Sequence, residues 1–163
     1  MERAASRRSP FIGKTAAAFE LPDQDDRTVS LEKLRGRWVV LYFYPADDTP
    51  GCTCQATEFT KLLKRFREQG AEIYGVSPDL SASHRYFRDK YELEIALLSD
   101  PHHEVMRRYG AWLDLRSAGA EGGRVVRSTF LIDPTGRIAH HWPEVIPQGH
   151  AKRVADRLRD LSS

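Results

Sequence analysis

Apolar positions along the chain follow two periods, and the switches between them outline the elements. "WVVLYFYP" (Trp38 to Pro45) is an unbroken β-branched and aromatic run, which predicts a central strand buried on both faces. After the loop "PADDTPG", Phe59, Leu62, Leu63 and Phe66 recur at the spacing of one helix face, and this helix ends near Gly70. "AEIYGVSPD" predicts the next strand. "SASHRYFRDKY" predicts a helix with Ser81 as its N-cap. "IALLSD" reads as a strand, "HEVMRRYG" as a short helix stopped by Gly110, and "LRSAGAEGGRV" (Leu115 to Val125) as a glycine-rich loop.

Alternating runs flank both ends of this series. "AFELPDQDDRTVSL" (Ala18 to Leu31) folds two short extended segments around an Asp-rich turn, with a helical turn at "LEKLRG" after it. "STFLIDPTGRIAHHW" predicts a second hairpin turned at Asp133 to Gly136. The closing helix, "HAKRVADRLRDL", carries Val154, Leu158 and Leu161 on one face. This order predicts an α/β mixed sheet with helices on both faces and an N-terminal hairpin, the arrangement a thioredoxin-like fold requires.

The 163 residues suffice for one domain with a proper core, so residues 11–163 are expected to form a single unit behind a flexible basic tail at 1–10. That tail lacks the apolar segment and cleavage site of a secretory signal. Acidic and basic residues, 23 and 25 of them, are interleaved to a net charge of +2, which argues against nucleic acid as a partner. No run approaches the roughly 18 apolar residues of a membrane span, so neither a membrane partner nor a membrane location is expected. With only two cysteines, a disulfide framework is excluded and a reducing, cytoplasmic setting is the economical expectation.

Those cysteines, Cys52 and Cys54, stand one residue apart in "YFYPADDTPGCTCQATEF", where the strand gives way to a tight Pro-Gly turn and then a helix. A sulfur at a helix N-terminus lies among unpaired N–H groups at the positive end of the helix dipole, which stabilises thiolate over thiol. Cys52 is therefore the candidate nucleophile toward an electrophilic sulfur or a peroxide oxygen. Thr49 lies three residues earlier, placed to face that sulfur or to cap the helix. Pro45 and Pro50 fix φ on either side of the loop and pre-shape the pocket.

"YFYPADDTPGCT" resembles the active-site loop of the peroxiredoxins, P-x-x-x-[TS]-x-x-C, with Pro45, Thr49 and Cys52 in register. The wording "FYP…DTPGCT" is similar in particular to the bacterioferritin comigratory protein, or peroxiredoxin Q, branch. "RSTFLID" (Arg127 to Asp133) resembles the strand that carries the family's active-site arginine, which falls on Arg127. "GVSPD", "LLSDP" and "RYGAW" follow in the family's order, so the likeness spans about Phe11 to Leu161.

The resemblance implies a thiol-dependent peroxidase, an oxidoreductase of antioxidant defence and redox homeostasis that needs no cofactor and no metal. Its Cys52 thiolate would attack hydrogen peroxide or an organic hydroperoxide, with Thr49 and Arg127 holding the oxygens. The resulting sulfenic acid would be recycled by thioredoxin or another thiol. The chain departs from the branch at its resolving cysteine, for Thr57 stands where "CTxxxC" has the second thiol, and Ser81 to Tyr91 contains none. Cys54 is then the possible resolving residue, after local unwinding or across a dimer, or else a bystander beside an external thiol. A monomer or weak dimer is expected.

Two further readings use the same fold. A copper-binding chaperone would draw on thiolates and imidazoles, but its cysteines resemble a C-x-x-x-C spacing. The pairs His102–His103 and His140–His141, together with His84 and His150, are read as solvated. A thiol–disulfide oxidoreductase would want C-x-x-C, and the chain has C-x-C.

Overall fold

The structure, a computed structural model, describes residues 9–115 and 122–162. The basic tail lies almost wholly outside the described residues, as does the middle of the glycine-rich loop.

Strand β1 (Glu20–Pro22) pairs antiparallel with β2 (Thr28–Ser30), and a 3-10 turn follows at Leu31–Leu34. Strands β3 (Trp38–Phe43), β4 (Ala71–Ser77) and β5 (Ala96–Ser99) run parallel and alternate with helices α1 (Pro50–Glu68) and α2 (Ser81–Tyr91). After α3 (Glu104–Arg108) come the short strands β6 (Trp112–Asp114) and β7 (Gly123–Val125). The hairpin of β8 (Ser128–Ile132) and β9 (Ile138–Trp142) then leads to α4 (His150–Ser162). The five-stranded sheet has the order β5-β4-β3-β8-β9, with β8 antiparallel to β3, so it is mixed.

Strand β3 is central because its side chains serve two cores. Val40, Tyr42 and the following Tyr44 pack with Ala56, Phe59 and Phe66 of α1, Phe87 of α2 and Leu158 of α4. Val39, Leu41 and Phe43 pack with Val105 and Met106 of α3, with Leu21 of the N-terminal hairpin and with Leu31 of the 3-10 turn after it. A run with no polar positions is what two apolar faces demand. Gly75 of β4 lies beside Tyr42, and a Cβ there would stand 2.7 Å from the ring's Cζ. The missing side chain makes room for the ring.

Three local expectations are corrected. Leu80, not Ser81, occupies the N-cap of α2, and Ser81 is its first helical residue. Part of the glycine-rich stretch is not loop: Gly123–Val125 pairs with Trp112–Asp114, and Gly123 is needed because a Cβ would come 2.7 Å from the Trp112 ring. Four histidines read as solvated are buried, namely His84, His140, His141 and His150. Adjacent residues of β9 face opposite ways, so His140 meets Trp142 and Arg157 while His141 stacks on Phe130 at 4.2 Å. A partner on each face removed the need for solvent.

Burial holds His141 down to about 4, and burial with the nearby Arg157 charge does the same for His140. An unfolded chain protonates these rings near 6.5, above the native value, so between about 6.5 and 4 the unfolded state binds more protons. Stability should therefore fall as pH drops through that window. Thermal melting against pH checks this: His141→Phe is expected to flatten the slope there, and an unchanged slope would refute the linkage.

Candidate active site

Helix α1 starts where β3 and its loop deliver it. Thr49 takes the N-cap position in extended backbone, Pro50 follows at the first helical position, and the Thr53 N–H donates to the Thr49 carbonyl at 2.8 Å. Cys52 lies in this first turn and is only 1% exposed. Both cysteines are free thiols and the helix runs unbroken through them.

Arg127, between β7 and β8, reaches across to that turn. Its Nη2 donates to the Cys52 sulfur at 3.4 Å, and its Nη1 donates to Gln55 Oε1 at 2.9 Å. One planar guanidinium is thus held by two groups on one helix face, at positions i and i+3. Space around it is tight, because a Cβ on Gly51 would lie 3.2 Å from Arg127 Nη2 and 3.3 Å from Pro147 Cγ. Gln55 is fully buried and its Nε2 has no partner among the described residues. The Tyr42 hydroxyl is likewise buried and unpartnered. Burial pushes it well above its ordinary value, helped by Cys52 and Asp47 and opposed by Arg127.

The loop before the helix is tied down along its length. The Thr49 hydroxyl does not cap α1, for it donates back to the Ala46 carbonyl at 2.9 Å. The next N–H, of Asp47, donates to Asp79 Oδ2 at 2.8 Å, and the Ser77 hydroxyl reaches the same oxygen at 2.7 Å. Asp47 Oδ1 accepts from the Tyr44 hydroxyl at 2.6 Å. Its Oδ2 accepts from the Ser83 hydroxyl at 2.8 Å and from His84 Nδ1 at 2.7 Å. Asp48, at φ +59°, turns its carboxylate to Tyr91 and Lys90, at 2.6 and 2.8 Å. Hydrogen bonds from Lys90 and Tyr91 hold that carboxyl below its usual range.

Cys54 faces elsewhere. Its thiol donates to Glu58 Oε2 at 3.4 Å, while Glu58 Oε1 accepts from the Gly149 N–H at 2.9 Å. Burial first and the carboxylate second push the Cys54 thiol above its ordinary value. Thr57, on the next turn, bonds its hydroxyl to the Thr53 and Cys54 carbonyls. Pro45 is exposed at the exit of β3.

Of the residues expected at the site, Cys52 and Arg127 are in direct contact, and Thr49 stands at the N-cap position of the same helix with its hydroxyl turned to the Ala46 carbonyl. Gln55, Asp47 and His84 were not foreseen. Gln55 was within reach of helix spacing alone, three positions past Cys52, whereas His84 is 37 positions from Asp47 and no local signal pairs them.

Comparison with known proteins bears on the family of the chain. The AhpC/TSA family model matches residues 12–141. A putative peroxiredoxin bcp of Coxiella burnetii is 40% identical over 147 residues, covering 90% of this chain and 97% of that one. Peroxiredoxin Bcp of Bacillus subtilis is 38% identical over 151 residues, covering 93% and 96%. Among solved structures, the bacterioferritin comigratory protein of Xanthomonas campestris, studied for its alkyl peroxide reduction activity, superposes with a TM-score of 0.85 at 33% identity, covering 89% of this chain and 92% of that one. Peroxidoxin BcpB of Mycobacterium tuberculosis gives 0.83 at 35%, covering 93% and 98%. Nothing in these likenesses favours a copper chaperone or a dithiol oxidoreductase. With a buried helix-start cysteine under an arginine, a thioredoxin-like mixed sheet and relatives along nearly its whole length, the chain belongs to the AhpC/TSA family as a peroxiredoxin of the Bcp/peroxiredoxin Q kind, a thiol-dependent peroxidase.

Proposed function

We propose that Cys52 is the peroxidatic residue and that an external thiol, thioredoxin or one of similar chemistry, completes the cycle. The carrying observation is the 3.4 Å contact from Arg127 Nη2 to the Cys52 sulfur, which sets a fixed cation against the nucleophile and its attacking line. The thiolate attacks the near oxygen of hydrogen peroxide or an alkyl hydroperoxide, the O–O bond breaks, and the far oxygen leaves as water or alcohol after taking a proton. Arg127 and the Thr49 hydroxyl hold the two oxygens, and Pro45 shapes the loop that carries Thr49. Alkyl hydroperoxides enter this reading through the likeness to the Xanthomonas protein.

Cys52 is left as a sulfenic acid. An incoming thiol displaces its hydroxyl as water and forms a mixed disulfide, and a second thiol then releases reduced Cys52. Cys54 is a poor resolving group on this reading, because its proton is held by Glu58 and an intact helical turn separates residues i and i+2. Residues 11–163 acting as one domain, a monomer or weak dimer, and an antioxidant role in the cytoplasm complete the proposal. Two free thiols suit a reducing compartment.

Intact mass after one equivalent of hydrogen peroxide, with and without a sulfenic-acid trap, tests it on wild type, Cys54→Ser and Cys52→Ser. Wild type and Cys54→Ser are expected to give the same trappable acid, and Cys52→Ser none. Loss of two hydrogens or a covalent dimer in wild type, absent in Cys54→Ser, would instead make Cys54 the resolving thiol.

A further inference from the structure

The geometry points to His84 and Asp79 as positioning residues for the peroxide step, acting on the Thr49 hydroxyl through the Ala46–Asp47 peptide. This inference rests on the reading above that Thr49 contacts the peroxide.

The peptide between Ala46 and Asp47 is gripped on both edges. Its carbonyl accepts the Thr49 hydroxyl proton at 2.9 Å, and its N–H donates to Asp79 Oδ2 at 2.8 Å. That proton is the only one Thr49 can give, so its direction decides which lone pairs are left for a hydrogen-bond donor in the pocket. A tilt of this peptide would turn the hydroxyl.

Resistance to tilting comes from the Asp47 side chain, which is 3% exposed and held by three hydrogen-bond donors. Tyr44 holds one oxygen, and Ser83 and His84 of α2 hold the other. His84, wholly buried, is itself fixed at its far end, with Nε2 3.0 Å from the Leu98 carbonyl of β5. Asp79 is anchored by the Ser77 hydroxyl at its carboxylate and by the Ser99 hydroxyl at its carbonyl. A line of short bonds therefore runs from β5 through His84, Asp47 and Ala46 to Thr49, on rigid strand and helix backbone. None of these groups bonds the Arg127 guanidinium, whose partners are Cys52 and Gln55 of α1. Peroxide positioning and the environment of the sulfur are thus supported separately.

The two amide isosteres of histidine separate the two ends of this line. In His84→Asn the amide nitrogen takes the place of Nδ1 and keeps the Asp47 bond, while the Leu98 bond is lost. In His84→Gln it takes the place of Nε2, keeps the Leu98 bond and releases Asp47. The measurements are the rate of Cys52 oxidation by hydrogen peroxide, the rate of Cys52 alkylation by iodoacetamide, and the melting temperature. They are made on both variants, on Ser83→Ala and on Thr49→Val.

Oxidation is expected to slow by about 10- to 100-fold in His84→Gln, the scale of a small misplacement of a contact group, with alkylation near that of wild type. His84→Asn should recover most of the loss even though it too gives up one buried bond. Ser83→Ala, which removes a single hydroxyl and serves where His84→Gln folds poorly, should shift oxidation in the same direction by less. Equal loss in both His84 variants, or alkylation falling in step with oxidation, overturns the inference and leaves His84 a role in folding alone. Unchanged oxidation in Ser83→Ala together with a His84→Gln that does not fold overturns it as well. If Thr49→Val slows oxidation while folded His84→Gln does not, only the positioning line fails. If Thr49→Val reacts as fast as wild type, the reading of Thr49 fails and takes this inference with it.

Discussion

Arg127→Met is expected to lower the rate of Cys52 oxidation by hydrogen peroxide by about 100- to 1000-fold, the usual cost of removing one well-placed donor from developing negative charge. Methionine keeps much of the apolar stem, so the change isolates the guanidinium. Two contacts go at once, one to the sulfur at 3.4 Å and one to Gln55 at 2.9 Å. Arg127→Lys is expected to recover little, because an ammonium is a single point of charge and cannot span the sulfur and the amide in one plane. Stopped-flow measurement of peroxide oxidation on the three proteins provides the check. A loss of threefold or less in Arg127→Met, about 0.7 kcal/mol of transition-state stabilisation, would remove Arg127 from the mechanism.

Phe59→Ala is the substitution with the largest expected effect on stability, about 3–5 kcal/mol. The ring is wholly buried, stacks on Tyr42 at 4.9 Å between centroids and meets His150 edge-on at 6.1 Å. It therefore joins α1 to both the central strand and α4, and those elements have few ways to collapse into the space it leaves. For a chain of this size the loss corresponds to a fall in melting temperature of about 10 °C. Thermal or urea denaturation decides it, with Leu62→Ala, a partly buried neighbour on the same helix, as the milder comparison. Similar losses for the two would show that the stack adds nothing beyond ordinary burial.

The elements that carry the site were readable because each rests on local periodicity. Strand β3 announces two buried faces by having no polar position, and α1 announces one by the spacing of Phe59, Leu63 and Phe66. Cys52 was readable for the same reason, since the strand, the turn and the helix that place it are consecutive. Arg127 was not readable from spacing, because its 3.4 Å contact spans 75 positions, and only the family resemblance pointed to it. The histidines were misread because a polar residue on a short strand or helix defaults to solvent unless its distant partners are known. For His141 these partners are Ser9 and Phe130, and for His150 the Thr129 hydroxyl at 2.8 Å. Strand β7 was hidden by its own glycine, which lowers strand propensity while serving the close approach of Trp112.

The vacancy at Gly75 bears on how this sequence can drift. With a Cβ at 75 only 2.7 Å from the Tyr42 ring, the two positions are coupled: Gly75→Ala forces the buried ring to shift unless a smaller residue stands at 42, and a smaller residue at 42 leaves a void that alanine at 75 partly fills. The two positions form an epistatic pair, each single change harmful and the matched double change milder. Because Tyr42 shares its core with Cys52, that pair also bounds which neighbours the Cys52 sulfur can acquire over evolutionary time.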